Sequence, residues 1–351
     1  MTSQQEDAPG TTSSAHPARE TFAAAQAAEL AVVQRSGFVE SRHVGAAVLL
    51  DPEGAVQRGV GPVDAPIFAR SALKPFQAIA SMKAGAGLFG AEVALAAGSH
   101  TGSFEHMRTA AGMLQQAELS PQNLQCPPAW PQDEQAHAYL LAQGKGKQTL
   151  AMNCSGKHAA FLWACTASGW DPHSYLDPEH PLQRSVLETI EEFTGQAPAA
   201  VGTDGCGAPV AAVSLTGLAR GYSVLGRAIR NIEADARAAT LATAMVDYPE
   251  MVQGHGEPNT VVSERLGIIA KFGAEGVLCL AAPSGAAVAV KVLDGSTRPA
   301  TLTALHLLVL GGHLSAEEVD PVIEQVVRPV TGGGRPVGRI LLGAAFDTGQ
   351  E

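Results

Sequence analysis

Two sets of strand-length apolar runs, one towards each end of a 351-residue chain, constrain the fold most. Glu29–Arg35, His43–Leu50 and Val56–Val60 form the first set, and Asp51-Pro52-Glu53-Gly54 is a hairpin turn between the last two. Ile268–Phe272, Val277–Ala281 and Ala286–Val292 form the second, separated by Gly-rich turns, and Val337–Leu342 reads as an edge strand closing the sheet. Between the two sets the periodicity is helical, over Ser71–Lys83, Ala91–Ala97, Glu105–Leu119, Glu134–Ala142, Asn153–Ser168, Leu182–Phe193, Val210–Gly221 and Ile229–Met245. Asp133 is placed to cap the fourth of these. Helices over Leu302–Leu310 and Ala316–Val327 fall among the last strands. Strands, a helical middle and strands again, with no linker, make an α+β pattern: one antiparallel sheet built from both ends of a contiguous domain, residues 27–351. Residues 1–26, rich in Thr, Ser, Pro, Gln and Ala, read as a disordered N-terminal tail.

Charge and cysteine usage narrow the class of protein. A net charge of −11 with no basic run argues against nucleic acid or an anionic membrane as partner. The longest apolar stretch, Val277–Val292, is broken by Pro283, Ser284 and Gly285, so it does not read as a membrane span. Met1–Ala15 lacks the basic start and apolar segment of a signal peptide. Five cysteines without disulfide-like spacing suit a reducing compartment, and the expectation is a cytoplasmic protein.

Chemistry concentrates in a few short stretches. Ser71 and Lys74 lie three residues apart at a helix start, on one face. Burial and the positive end of the helix dipole both disfavour an ammonium there, and a neutral lysine beside a serine makes that serine a nucleophile. Gly85-Ala86-Gly87-Leu88-Phe89-Gly90 has dinucleotide-fingerprint spacing but follows a helix, so it reads as a connecting turn. Ser99-His100 sits in a loop of small and polar residues, as either an exposed hydroxyl or a turn. Cys154 and His158 are one helical turn apart, and Cys206, beside Asp204, is a third partner available from a distance. Such a set suits two or three metal ligands or a thiolate–imidazole pair, although a buried cysteine also serves as a small hydrophobe. Lys271 ends a strand and is followed by Phe272-Gly273. A Lys-Thr-Gly triplet occupies a comparable place beside the Ser-x-x-Lys helix of penicillin-recognising acyl-transferases, whose Ser-Asp-Asn element this chain lacks.

In content and order these stretches resemble the asparaginase II family of the rhizobial type. The matching pieces are Arg70-Ser71-x-x-Lys74-Pro75-x-Gln77, Ser99-His100, Asn153-Cys154-Ser155-Gly156-Lys157-His158, Thr203-Asp204-Gly205-Cys206, and Lys271 within Ala270–Ala274. The likeness covers residues 27–345, and the loop after Cys206 departs from the family pattern with Gly207. The resemblance implies a fold like serine β-lactamases and glutaminases. It also implies hydrolysis of L-asparagine to L-aspartate and ammonia through two serine–lysine tandems, Ser71–Lys74 and Ser99–Lys271. It places Arg70, His158 and Asp204 on the substrate's charged groups, and a modulating, non-obligatory zinc ion on Cys154, Lys157 and Cys206. A homodimer is expected with it. Two other readings remain: a Ser-x-x-Lys peptidase or β-lactamase-like hydrolase, and a non-catalytic zinc- or amino-acid-binding relative.

Overall fold

The computed structural model describes residues 20–346. The chain opens with a hairpin, β1 (Ala28–Arg35) and β2 (Phe38–Leu50), and β3 (Val56–Val60) folds back on the second half of β2. After β4 (Pro66–Phe68), a 3-10 turn over Arg70–Leu73 runs directly into α1 (Lys74–Lys83). The helical middle follows as α2 (Ala91–Ala96), α3 (Phe104–Gln116), α4 (Glu134–Ala142), α5 (Ser155–Ser168) and α6 (Pro181–Thr194). Next come β5 (Ala200–Thr203), β6 (Pro209–Ser214), α7 (Leu215–Ala228), α8 (Ala236–Asp247), the single turn α9 (Pro249–Val252) and α10 (Pro258–Leu266). The last third holds β7 (Ile269–Gly273), β8 (Val277–Ala281), β9 (Ala287–Val292), α11 (Ala300–Leu310), α12 (Ala316–Val326), β10 (Val330–Gly332) and β11 (Arg335–Leu342).

The main sheet is antiparallel throughout, in the order β10-β11-β1-β2-β9-β8-β7, with β3 attached to β2. It is therefore built from both ends of the chain, as the apolar runs require. Its central strands β8 and β9 are buried at every position and apolar at all but Lys291, because both faces are covered. Along β8, Val277, Cys279 and Ala281 pack towards the helical middle, while Leu278 and Leu280 pack against α11 and α12. The same period of two divides Val48 and Leu50 from Ala47 and Leu49. Strand β7 is an edge, and that position leaves its outward side open to the helical middle.

Several expectations are corrected. Val210–Gly221 is not one helix: Pro209–Ser214 is a strand, and α7 begins only after Ser214, whose hydroxyl accepts from the Gly217 N–H at 3.0 Å. Together β4, β6 and β5 form a separate three-stranded sheet, so a run of small apolar residues became a strand through its partners. The helix expected over Ile229–Met245 starts at Ala236, where Asp235 caps it by accepting from Arg237 and Ala238. Strand β11 is not the edge, because β10 lies outside it. The tail expected over residues 1–26 is shorter at its inner end: Phe22 is buried in the main core and Ala24–Gln26 form a 3-10 turn. Burial of one large apolar ring outweighs the polar composition around it. Residues 1–19 lie outside the described residues. Among the described residues no helix is long and apolar enough to cross a membrane.

Candidate active site

The loop after α2 is held by backbone bonds on three sides. Ser99 donates its N–H to Val252 O at 2.7 Å, His100 to Asn153 O at 3.2 Å and Thr101 to Gln253 O at 2.8 Å. Gly98 is required here, since a Cβ would stand 2.6 Å from Met251 O and 3.1 Å from Val252 O. His100 Nδ1 accepts from the Gly102 N–H at 3.1 Å, so its proton sits on Nε2 and is donated to Ser155 Oγ at 2.9 Å. Ser155 passes its own hydroxyl hydrogen to Leu150 O. Burial, together with the charges of His106 and Lys74, holds His100 well below the usual imidazole range, so this neutral tautomer is fixed.

Two lysines from opposite ends of the domain meet on the Ser99 hydroxyl. Lys74, the first residue of α1, bonds Ser99 Oγ at 3.0 Å and also donates to Gly98 O at 2.6 Å and Asn153 O at 3.2 Å. Lys271, on edge strand β7, lies 2.9 Å from the same oxygen and donates to Phe272 O at 2.6 Å. Both amines are buried. Burial first, and the neighbouring charge of Lys74 second, depress Lys271 well below the usual lysine range. A serine hydroxyl has one hydrogen to give. With Lys74 donating, that hydrogen is available to Lys271 when its amine is neutral, the form that burial favours. Ser99 Oγ is thus the meeting point of the two amines, and in the state with Lys271 deprotonated the order of donation runs from Lys74 to Ser99 to Lys271.

Ser71 stands beside this chain rather than in it. All three donor bonds of Lys74 go elsewhere, so the Ser71–Lys74 hydrogen bond expected from the i, i+3 spacing is absent. The reason is local: Ser71 lies in the 3-10 turn before α1, and the long lysine side chain reaches past it to the Ser99 loop. Ser71 is the most open of the four residues, at 9% against 3% for Ser99 and 0–1% for the lysines. Its turn abuts β7, where a Cβ on Gly273 would meet Ala69 O at 2.5 Å and Ala72 N at 3.1 Å. Arg70, in the left-handed region at φ +51°, gives its Nε hydrogen to Asp204 Oδ1 at 2.7 Å. Burial alone would raise the Asp204 carboxyl, but Lys157, Arg70 and the Gly205 N–H outweigh it and hold the group below its usual range.

The remaining expected residues form a second cluster, adjacent to the first. Lys157 Nζ lies 3.0 Å from Cys206 Sγ. Cys154, at the N-terminus of α5, donates its thiol hydrogen to Asn153 Oδ1 at 3.1 Å. The neighbouring Cys206 sulfur first, with Lys74 and Lys157, overcomes burial and drives the Cys154 thiol well below its ordinary value. The same neighbour effect and burial raise Cys206. Burial opposes charge on Lys157, but the two sulfurs outweigh it and raise its value. Among the described residues no group of three or more His, Cys, Asp and Glu side chains is placed to hold a metal. Two sulfurs and one amine nevertheless suit zinc by donor type, with the lysine having to lose its proton on binding. His158 shares no hydrogen bond with Arg70 or Asp204. It is fully buried, its Nδ1 pairs with the Tyr175 hydroxyl at 2.7 Å, and its Nε2 has no hydrogen-bond partner among the described residues. Burial foremost pushes it down to about 4. The backbone acceptors Gly98, Asn153, Val252 and Gln253 complete the site, and only Asn153 had a sequence signal, as the first residue of its hexapeptide.

The family model of L-asparaginase II matches residues 31–342. The chain belongs to the L-asparaginase II family. Among solved structures it is similar to Mglu in its glutamate form, at 14% identity and a TM-score of 0.45 over 77% of this chain and 61% of that one. A beta-lactamase from Mycobacterium bovis matches at 16% identity and 0.42, over 77% and 95%. A Bacillus glutaminase matches at 12% and 0.41, over 77% and 91%. The family member described here thus spans about three fifths of the Mglu chain. No curated protein matches it.

Proposed function

We propose that this member of the L-asparaginase II family hydrolyses L-asparagine to L-aspartate and ammonia through an acyl-enzyme. The observation that carries the reading is the convergence of Lys74 and Lys271 on the Ser99 hydroxyl, with burial pushing the Lys271 amine well below its usual range. Ser71, the open hydroxyl at the start of α1, attacks the carboxamide carbon. As it does so, Ser99 gives its proton to Lys271, Lys74 gives one to Ser99, and the lysine amine so formed takes the Ser71 proton, a transfer for which Ser71 and Lys74, not hydrogen-bonded in the structure, have to come into contact. One proton has moved from Ser71 to Lys271 and no other group has changed. The same chain run backwards protonates the leaving nitrogen, ammonia departs, and water hydrolyses the aspartyl ester with the chain again as base.

Arg70 is the group for the substrate's α-carboxylate, and Asp204 for its α-ammonium. Zinc, when bound, would be held by Cys154, Lys157 and Cys206 and would supply a fixed positive charge beside Lys74. Metal content measured on wild type and on Cys206→Ala tests that set: stoichiometric zinc in the first and none in the second is expected. Sedimentation of the purified chain tests the expected homodimer.

The function is tested by ammonia release from L-asparagine, run beside L-glutamine and a chromogenic cephalosporin. Release from asparagine well above the other two supports the reading, whereas faster turnover of the cephalosporin would replace it. Rapid quenching and peptide mapping should find the aspartyl group on Ser71. A label on Ser99 would exchange the roles of the two serines.

A further inference from the structure

A cavity of ≈ 550 Å³ lies between the starts of α10 and α11 and the end of α12. Its size is that of a site for a small organic ligand. One side is apolar, with Phe272, Val277, Leu278 and Ile340. The other carries donors. Asn259 lines it, is 4% exposed, and its Nδ2 has no hydrogen-bond partner among the described residues. Leaving such an amide buried and unpaired costs about 1–3 kcal/mol, which an acceptor on a ligand would recover. Arg298 and Arg328 line the same cavity, and among the described residues neither makes an ion pair. The start of α10 also borders it, but Pro258 has no N–H and the Asn259 N–H is given to Gln253 Oε1 at 2.9 Å, so the lining residues of that turn offer no free backbone donor. Glu257 is the one acidic group among the lining residues, and its carboxylate already accepts from Gln253 at 3.1 Å. Two guanidiniums and an orphan amide against one carboxylate select an anion.

The cavity touches the candidate active site through two of its lining residues, Phe272 and Gln253. Phe272 forms part of its wall, and the Lys271 Nζ sits 4.8 Å from the centre of the Phe272 ring. Lys271 also donates to Phe272 O. Gln253, at the opposite wall, holds the Thr101 N–H of the Ser99 loop through its backbone oxygen. We propose that this cavity is a second ligand site, for a carboxylate or phosphate carried on an apolar body, and that its occupant acts on Lys271 through Phe272. The binding half stands on the cavity alone, and the coupling half rests on the function proposed above.

The probes are octanoate, octyl phosphate and the uncharged octyl glucoside, titrated by calorimetry into the full chain. Saturable binding of one or both anions and none of the glucoside is expected. Which anion binds more tightly distinguishes a carboxylate ligand from a phosphate one. The double variant R298Q/R328Q, both changes at exposed positions, should melt as wild type and bind at least ~10-fold more weakly, the loss expected from charge-assisted hydrogen bonds. No saturable heat with either anion, or equal affinity in the double variant, would overturn the site. Ammonia release measured across pH at saturating octanoate, or octyl phosphate if that is the tighter probe, should show its acid limb displaced. An unmoved limb with binding intact would overturn the coupling and leave the site.

Discussion

A single oxygen organises the chemistry at the scale of residues. The Ser99 hydroxyl lies between Lys74 and Lys271, and only the direction of its proton makes the arrangement a base. Lys271→Met keeps most of the bulk and removes the amine. Turnover of asparagine should fall by at least ~10²-fold with circular dichroism unchanged, the low end for losing an acid–base group. The pH profile follows from the depressed lysine. Its neutral form exists above its folded pKa and is lost as pH falls through that value, so wild-type activity should decline on the acid side. A full-rate Lys271→Met enzyme, or a wild-type rate that rises on acidification, would exclude the relay. Asp204→Asn should act differently. It removes the charged partner of Arg70 and one group assigned to the substrate, so KM should rise by ~10-fold or more while kcat changes less. An equal loss in kcat with KM unchanged would move Asp204 from binding to chemistry.

Precision at the scale of elements comes from close backbone approach. The Ser99 loop lies against α9 so tightly that Gly98 has no room for a methyl group: its three nearest neighbours, Met251 O, Leu95 O and Val252 O, are all backbone. Gly98→Ala should therefore cost ~1–3 kcal/mol by denaturant melting and lower kcat as well, because the loop must shift to admit the Cβ. Retained activity with lowered stability would show that the loop moves as a unit with α9. Edge strand β7 is likewise placed by glycine, with Gly273 pressed on the turn that carries Ser71. One strand and one turn thus bring together residues 200 positions apart, Ser71 and Lys271.

The core reaches back, at the scale of the whole molecule, to a residue that composition assigns to the tail. Phe22 packs with the main cluster at 5% exposure. Phe22→Ala should cost up to ~3–5 kcal/mol, the range for a buried ring, and lower the melting temperature by several degrees. Removing residues 1–25 should do the same, since it also removes Phe22. An unchanged melting temperature in both would mean that the ring contributes nothing to the fold.

Local chemistry was legible from the residues themselves. Val56–Val60, Val277–Ala281 and Glu134–Ala142 with its Asp133 cap stand where period, turn residues and capping place them, because each depends on neighbours within a few positions. The two-ended sheet was legible for the same reason, and so was the list of chemical groups: Ser71, Lys74, Ser99, Lys271 and the two cysteines. Their partners were not. Spacing paired Ser71 with Lys74, yet the lysine turns to a loop reached only when α9 and the start of α5 close around it. Pro209–Ser214 carried no period to separate helix from strand, and β4 and β5 decided it. His158 shares a helix with Lys157, and its Nδ1 pairs with Tyr175 rather than with Arg70 or Asp204. A sequence encodes which groups are present and the conformations that short segments favour. Which lysine is stripped of water, and which hydroxyl it meets, are set by burial and long-range packing, and these exist only in the folded chain.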